Sequence, residues 1–162
     1  MRNIAFAAAG GFLFFGVGCA GLFSNDPTAM NVSAEIARSE TMAAESLTMS
    51  RLSAIERSMA DYIKAKGAVP KTLDELVPEY LAEVPDVTLG IRGHRDTKEV
   101  VYYPPSAIQN NVINGTEIRD RGGWGYAFNG ERVIVFVDCT HPSTKRRPWY
   151  RMTTGLRLEA SR

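Results

Sequence analysis

Residues 30–67 read MNVSAEIARSETMAAESLTMSRLSAIERSMADYIKAKG, a run of 37 positions without Gly or Pro before Gly67 closes it. That uninterrupted length predicts one long helix, since Pro and Gly are the residues that break one. Asp26-Pro27 marks the start: a carboxylate accepts from free amides at the first turn, and Pro at the first helical position lacks an amide that would be orphaned anyway. Asn31 or Ser33 would serve as a later start, and Gly67 supplies the stop. Helical over 30–66, the segment is about 50 Å long. Leu52, Ile55, Met59 and Ile63 recur at helical spacing with Met49 and Tyr62 on the flanks, so the second half calls for a sheet or helix to cover it. The first half is mostly Ala, Ser, Thr and Glu, with Ile36 and Met42 as its main apolar side chains, and is expected to be less buried. A coiled coil is the rival reading, and fewer than three heptads of apolar positions stand behind it.

Downstream, Thr72-Leu73-Asp74-Glu75 has the form of a capping box opening a short helix, which Pro78 must end or turn; short helical turns are expected over 73–83. Leu73, Leu76, Val77, Tyr80 and Leu81 are expected to pack on the long helix. Val100-Val101-Tyr102-Tyr103 is β-branched and aromatic and is stopped by Pro104-Pro105. Residues 124–128 and 132–137 are two β-rich runs joined through Asn129-Gly130, the dipeptide favoured in two-residue hairpins. Trp149-Tyr150-Arg151-Met152 reads as a further strand. The predicted fold class is α+β: a helix over about 27–66 packed on a small antiparallel sheet over about 99–152, all within one domain at 24–162.

Upstream, residues 4–23 carry no charge, follow Arg2 and precede Asp26-Pro27, which makes 1–23 a signal or membrane-anchor segment. About 20 apolar residues also suffice to span a bilayer as an uncleaved helix. Gly16-Val17-Gly18-Cys19 resembles the lipobox of bacterial lipoproteins, in which the Cys is lipidated; Cys19 is the candidate lipidation site, with a retained apolar helix or a cleaved signal as alternatives.

Over 162 residues, 19 Lys plus Arg stand against 18 Asp plus Glu, a net charge of +1 that argues against a nucleic-acid partner held by phosphate neutralisation. Two Cys make no disulfide framework, and two His leave little for a multi-ligand zinc site or a His-based catalytic set. Residues 140–162 hold Lys145, Arg146, Arg147, Arg151, Arg157 and Arg162 against Glu159 alone, a basic tail suited to solvent, to a partner's acidic face or to anionic lipid.

The order of these elements resembles the type IV pilins and type II secretion pseudopilins. The phrases that carry it are Arg51-Leu52-Ser53-Ala54-Ile55-Glu56 through Asp61-Tyr62-Ile63, then the exit at Gly67 to Pro70, Leu73-Asp74-Glu75-Leu76 with Tyr80-Leu81, Gly122-Gly123-Trp124-Gly125-Tyr126, and Val137-Asp138-Cys139-Thr140-His141 with Trp149 beyond. They cover roughly residues 50–150. The resemblance implies a non-enzymatic subunit of the bacterial cell envelope, membrane-anchored, its head in the periplasm or outside the cell. Its implied partners are other pilin-like subunits or secretion-system proteins, with homo-oligomers among the possibilities. The family's acidic residue early in the apolar run has no counterpart, since Gly16 stands in its place. The alternative is therefore a periplasmic lipoprotein binding module that keeps the head and does not polymerise. The calcium held near the C-terminus in major pseudopilins is not carried over, because Lys145, Arg146 and Arg147 stand in place of carboxylates.

Asp138, Cys139 and His141 are the one constellation resembling chemistry, a thiol beside an imidazole. With no third orienting group in view, the bland reading wins: a reduced, largely buried Cys139 that packs. These three with His94 do not show four metal ligands at a suitable spacing. No catalytic, cofactor-binding or metal-ligating residue is assigned. Gly122-Gly123 reads as a turn needing positive φ rather than a phosphate cradle, and Asn31-Val32-Ser33 and Asn114-Gly115-Thr116 match the glycosylation sequon without further support.

Overall fold

The computed structural model describes residues 27–153 and 155–157; the anchor segment 1–23, Cys19 and the Asp26 cap lie outside the described residues. Helix α1 spans Pro27–Lys66, 40 residues and about 60 Å at 1.5 Å per residue. Its end matches the expectation. Gly67 takes a φ of 69° and returns its amide to the Ile63 carbonyl at 2.8 Å, while Lys64 and Lys66 sit at the negative end of the helix. Leu52, Ile55 and Met59 are buried, with Met49, Tyr62 and Ile63 at the margin of the same core.

The capping box does not form. Leu73–Leu76 is a 3-10 turn, which closes on its own backbone: the Glu75 amide reaches the Thr72 carbonyl at 3.3 Å, leaving the Thr72 hydroxyl out of the cap. Glu75 instead accepts from the Lys71 amide at 3.1 Å and the Tyr62 hydroxyl at 2.9 Å, tying the turn to the last turns of α1. Helical geometry stops at Leu76 rather than continuing to 83, because Val77 is extended, as a residue before Pro prefers. Leu73 and Leu76 are buried, and Val77, Tyr80 and Leu81 pack around them.

The main sheet holds β1 (Val100–Tyr103), β4 (Trp124–Phe128), β5 (Arg132–Val137) and β6 (Leu156–Arg157) in the order β1-β4-β5-β6. It is mixed, not antiparallel as expected, because β1 pairs parallel to β4, with Val100 opposite Trp124. Pro104-Pro105 ends β1 and sends the chain across the back of the sheet. There it forms the two-residue strands β2 (Ile108–Gln109) and β3 (Val112–Ile113), then re-enters alongside β1 in the same direction, as a crossover does and a hairpin cannot. The strand expected at Trp149–Met152 is also corrected. Trp149–Arg151 is a 3-10 turn following Pro148, fixed by the Tyr150 amide on the Cys139 carbonyl at 3.1 Å, and β6 takes the edge place beside β5.

The β4–β5 hairpin forms, with its turn displaced by one residue. Phe128 faces Val133 and the Asn129 amide meets the Arg132 carbonyl at 3.2 Å, so Gly130-Glu131 are the central pair. Positive φ falls at Gly130 (94°), the first central position. Asn129 assists from outside, its Oδ1 accepting from the Glu131 and Arg132 amides.

Both faces of the sheet are covered. Trp124, Tyr126, Val133, Val135 and Val137 face α1, whereas Ala127, Ile134 and Phe136, with Val101 and Tyr103 of β1 beside them, face Ala107, Ile108 and Ile113 of the 104–118 excursion. A strand sandwiched this way has no wet side, which is why 133–137 is a continuous apolar run. At Gly125 a Cβ would come within 2.2 Å of the Phe136 ring, so the ring rests directly on the β4 backbone.

Helix α1 is also pinned by polar contacts. Glu45, 5% exposed, accepts from the Thr144 amide at 2.8 Å and hydroxyl at 2.5 Å, while the Thr48 hydroxyl bridges the Thr88 carbonyl (2.6 Å) and amide (2.9 Å). Glu45→Ala strands the Thr144 donors, and a loss of about 1–3 kcal/mol is expected in urea unfolding. No measurable change would mean that water replaces the carboxylate there.

Candidate functional site

Two features stand apart from the core. The first is the free half of α1. Residues 31–40 are all exposed, and among the described side chains of α1 Glu45 is the first that is buried. At about 100° per residue, Leu52, Ile55 and Met59 lie on one side of the rod, the exposed Val32 and Ile36 lie on the opposite side, and the exposed Leu47 and Met42 lie on its two flanks. Among the described residues no helix is long and apolar enough to cross a membrane.

The second feature lies at the end of the β4–β5 ribbon. The pairing continues past the strands: Gly122 donates to the Asp138 carbonyl and Asp138 to the Gly123 carbonyl, both at 2.8 Å, bringing 120–122 beside 138–139. Asp120 holds a positive φ of 57° there. The segment between Val87 and Thr97, itself closed by a β-bridge, lays the His94 ring over Gly122, where a Cβ would fall 2.4 Å from His94 Nδ1. Only glycine admits that approach.

His94, Asp120, Cys139 and His141 thus converge, one donor atom from each lying within 4.8 Å of all the others. Cys139 Sγ is 3.5 Å from His94 Nε2 and 3.5 Å from His141 Nδ1, and the two ring nitrogens are 3.3 Å apart. Asp120 Oδ1 is 3.5 Å from His94 Nε2 and 3.7 Å from His141 Nδ1. Cys139 is fully buried, the His94 side chain is 6% exposed, and Asp120 and His141 open to solvent at 33% and 47%.

No family model, curated protein or solved structure matches the chain.

The chemistry of the cluster is accordingly read from its own atoms. Burial pushes the Cys139 thiol up to about 12, so without a neighbouring cation it stays protonated and is a poor nucleophile. Burial also raises the Asp120 carboxyl, but the Thr140 amide donating to it at 2.8 Å and the two nearby imidazoles outweigh that and hold it below the usual carboxylate range.

Of the residues singled out from sequence, Cys139, His141 and His94 meet, and Asp138 does not join them. Its carboxylate is buried and takes the Tyr103 hydroxyl at 2.6 Å, the Asp120 amide at 3.3 Å and the Arg121 amide at 3.3 Å. Asp138 shapes the loop that presents Asp120. Asp120 is the residue sequence reasoning missed, and no spacing could have found it, because it reaches Cys139 only through the β4–β5 pairing. Gly122 has the positive φ expected of it, at 81°, and Gly123 does not. Asn114 of the second sequon caps its own 3-10 turn, accepting from the Thr116 amide at 3.2 Å.

Proposed function

We propose that this chain is a pilin-like or pseudopilin-like structural subunit of the bacterial cell envelope, tethered through residues 1–23 and working by protein–protein contacts along its rod. One observation carries the reading: α1 runs on beyond its own head, with Val32 and Ile36 exposed on the side turned away from the core and Leu47 continuing their stripe at the edge of the head. Isolated surface apolar residues are ordinary, but three within one stripe of a helix that continues past its head suit another helix of the same kind. The occupant proposed is a second copy of this chain, whose matching face would bury the same residues in a fibre of a secretion or pilus-related system.

A photo-crosslinking residue placed at Ile36 or Leu47 of the full chain, in native membranes, is expected to trap a ladder of self-adducts. The same probe at Arg38, elsewhere around the rod, is expected to give far less. A single heterologous adduct would instead favour the non-polymerising lipoprotein module. In the same membranes, the mass of the N-terminal peptide distinguishes acylated Cys19 from a retained apolar helix.

A further inference from the structure

We infer that His94, Asp120, Cys139 and His141 form a four-ligand tetrahedral zinc site that ties together the three loops at the end of the sheet. The interatomic distances carry this. A zinc ion with Zn–N and Zn–O near 2.0–2.1 Å and Zn–S near 2.3 Å sets the corners of its tetrahedron about 3.3–3.6 Å apart. The separations here are 3.3 Å between the nitrogens, 3.5 Å from sulfur to each nitrogen, and 3.5 and 3.7 Å from the carboxylate oxygen to each nitrogen. The three that lack sulfur exceed the 2.7–3.2 Å range usual for N–H···O hydrogen bonds, and all five run close to edges of one tetrahedron, whose sixth edge, from Cys139 Sγ to the Asp120 carboxylate, lies within 4.8 Å. A packed thiol with a hydrogen-bonded imidazole would satisfy one such distance, not five at once.

The surroundings suit a cation. Asp120 Oδ1 also receives the Thr140 amide at 2.8 Å, which orients it as outer partners orient zinc ligands. Gly122 admits the His94 ring so that its Nε2 points inward, and Asp138 fixes the Asp120 and Arg121 backbone from behind. The ligand set of two imidazoles, one thiol and one carboxylate favours zinc over calcium or magnesium, which take oxygen ligands. Four protein donors leave no open position, so the site is structural: it joins the segment before β1 through His94, the turn before β4 through Asp120, and the stretch after β5 through Cys139 and His141. The half-exposed His141 provides the entry path.

The test uses the full chain in detergent, purified without chelator, then stripped and titrated with zinc and, separately, with cobalt. One zinc per chain is expected, and cobalt should give a thiolate charge-transfer band with the intense visible bands of a tetrahedral ion. Zinc should raise the melting temperature of the stripped protein. Cys139→Ser should abolish the charge-transfer band, and His141→Ala, at a solvent-facing position, should weaken zinc binding at least 100-fold while the apo protein melts as wild type does. Absence of stoichiometric zinc uptake, an octahedral cobalt spectrum, or undiminished zinc affinity in His141→Ala would each overturn the assignment.

Discussion

Asp138→Ala is expected to lower the unfolding free energy by about 3–5 kcal/mol, among the largest effects of any single side-chain truncation in this chain. The carboxylate is wholly buried and is the shared acceptor for the Tyr103 hydroxyl and the amides of Asp120 and Arg121. Removing it leaves three donors without their partner in a place where water has little access, and an unmet buried donor costs about 1–3 kcal/mol. The damage propagates. The Tyr103 hydroxyl also accepts the Arg119 amide at 2.9 Å, so the whole 119–121 turn rests on this pair. Asp138→Asn keeps one carbonyl acceptor and turns an amide donor toward others, and is expected to recover only part of the loss. Urea unfolding of the three proteins decides it; a loss below about 1 kcal/mol for Asp138→Ala would mean the turn is held by its own backbone.

Alkaline pH is expected to unfold the protein more steeply than its surface charge would suggest. Tyr103 and Tyr126 are both nearly inaccessible; burial raises both phenols above their ordinary value, and for Tyr103 the bond to Asp138 adds to it. The Tyr126 hydroxyl donates to the Pro70 carbonyl. In the unfolded chain both ionise near pH 10, whereas in the fold they hold their protons to higher pH. Their contribution is therefore complete below about pH 10 and is lost as pH climbs toward the folded values. The unfolded state binds fewer protons across that window, so the fall in stability approaches about 1.4 kcal/mol per pH unit for each tyrosine, and the Cys139 thiol, also raised by burial, adds to it in the same direction. Unfolding free energies measured between about pH 9 and 11.5 should fall ever more steeply above about pH 10, and Tyr126→Phe should remove that residue's share, about 1.4 kcal/mol per pH unit at the top of the range. A flat profile would show that these hydroxyls ionise in the folded state as freely as in the unfolded chain.

What the sequence disclosed and what it withheld divide along physical lines. The span of α1 was legible because its signals are local: Pro27 at one end, Gly67 at the other, and a helical stripe from Leu52 to Met59 between them. The β4 and β5 strands were legible for the same reason. The parallel pairing of β1 with β4 was not, because it depends on where the 104–123 excursion sends the chain, and no residue near Val100 records that. Asn129-Gly130 marked the hairpin but not its register, which the whole ladder from Trp124–Val137 to Phe128–Val133 decides. Cys139 and His141 could be singled out as neighbours in sequence. Asp120 could not, since it meets them only after a strand, a turn and a second strand have folded back.

The way α1 joins its head also governs how a load is carried. Tension applied at the Pro27 end travels along exposed helix until Thr41 and Ala44, where Gly90 packs against it, and then passes through Glu45 and Thr48 into Thr144 and Thr88. Both belong to connecting segments, so the ribbon of β4 and β5 is spared the initial strain, and the loops serve as the coupling between a stiff shaft and the body it bears.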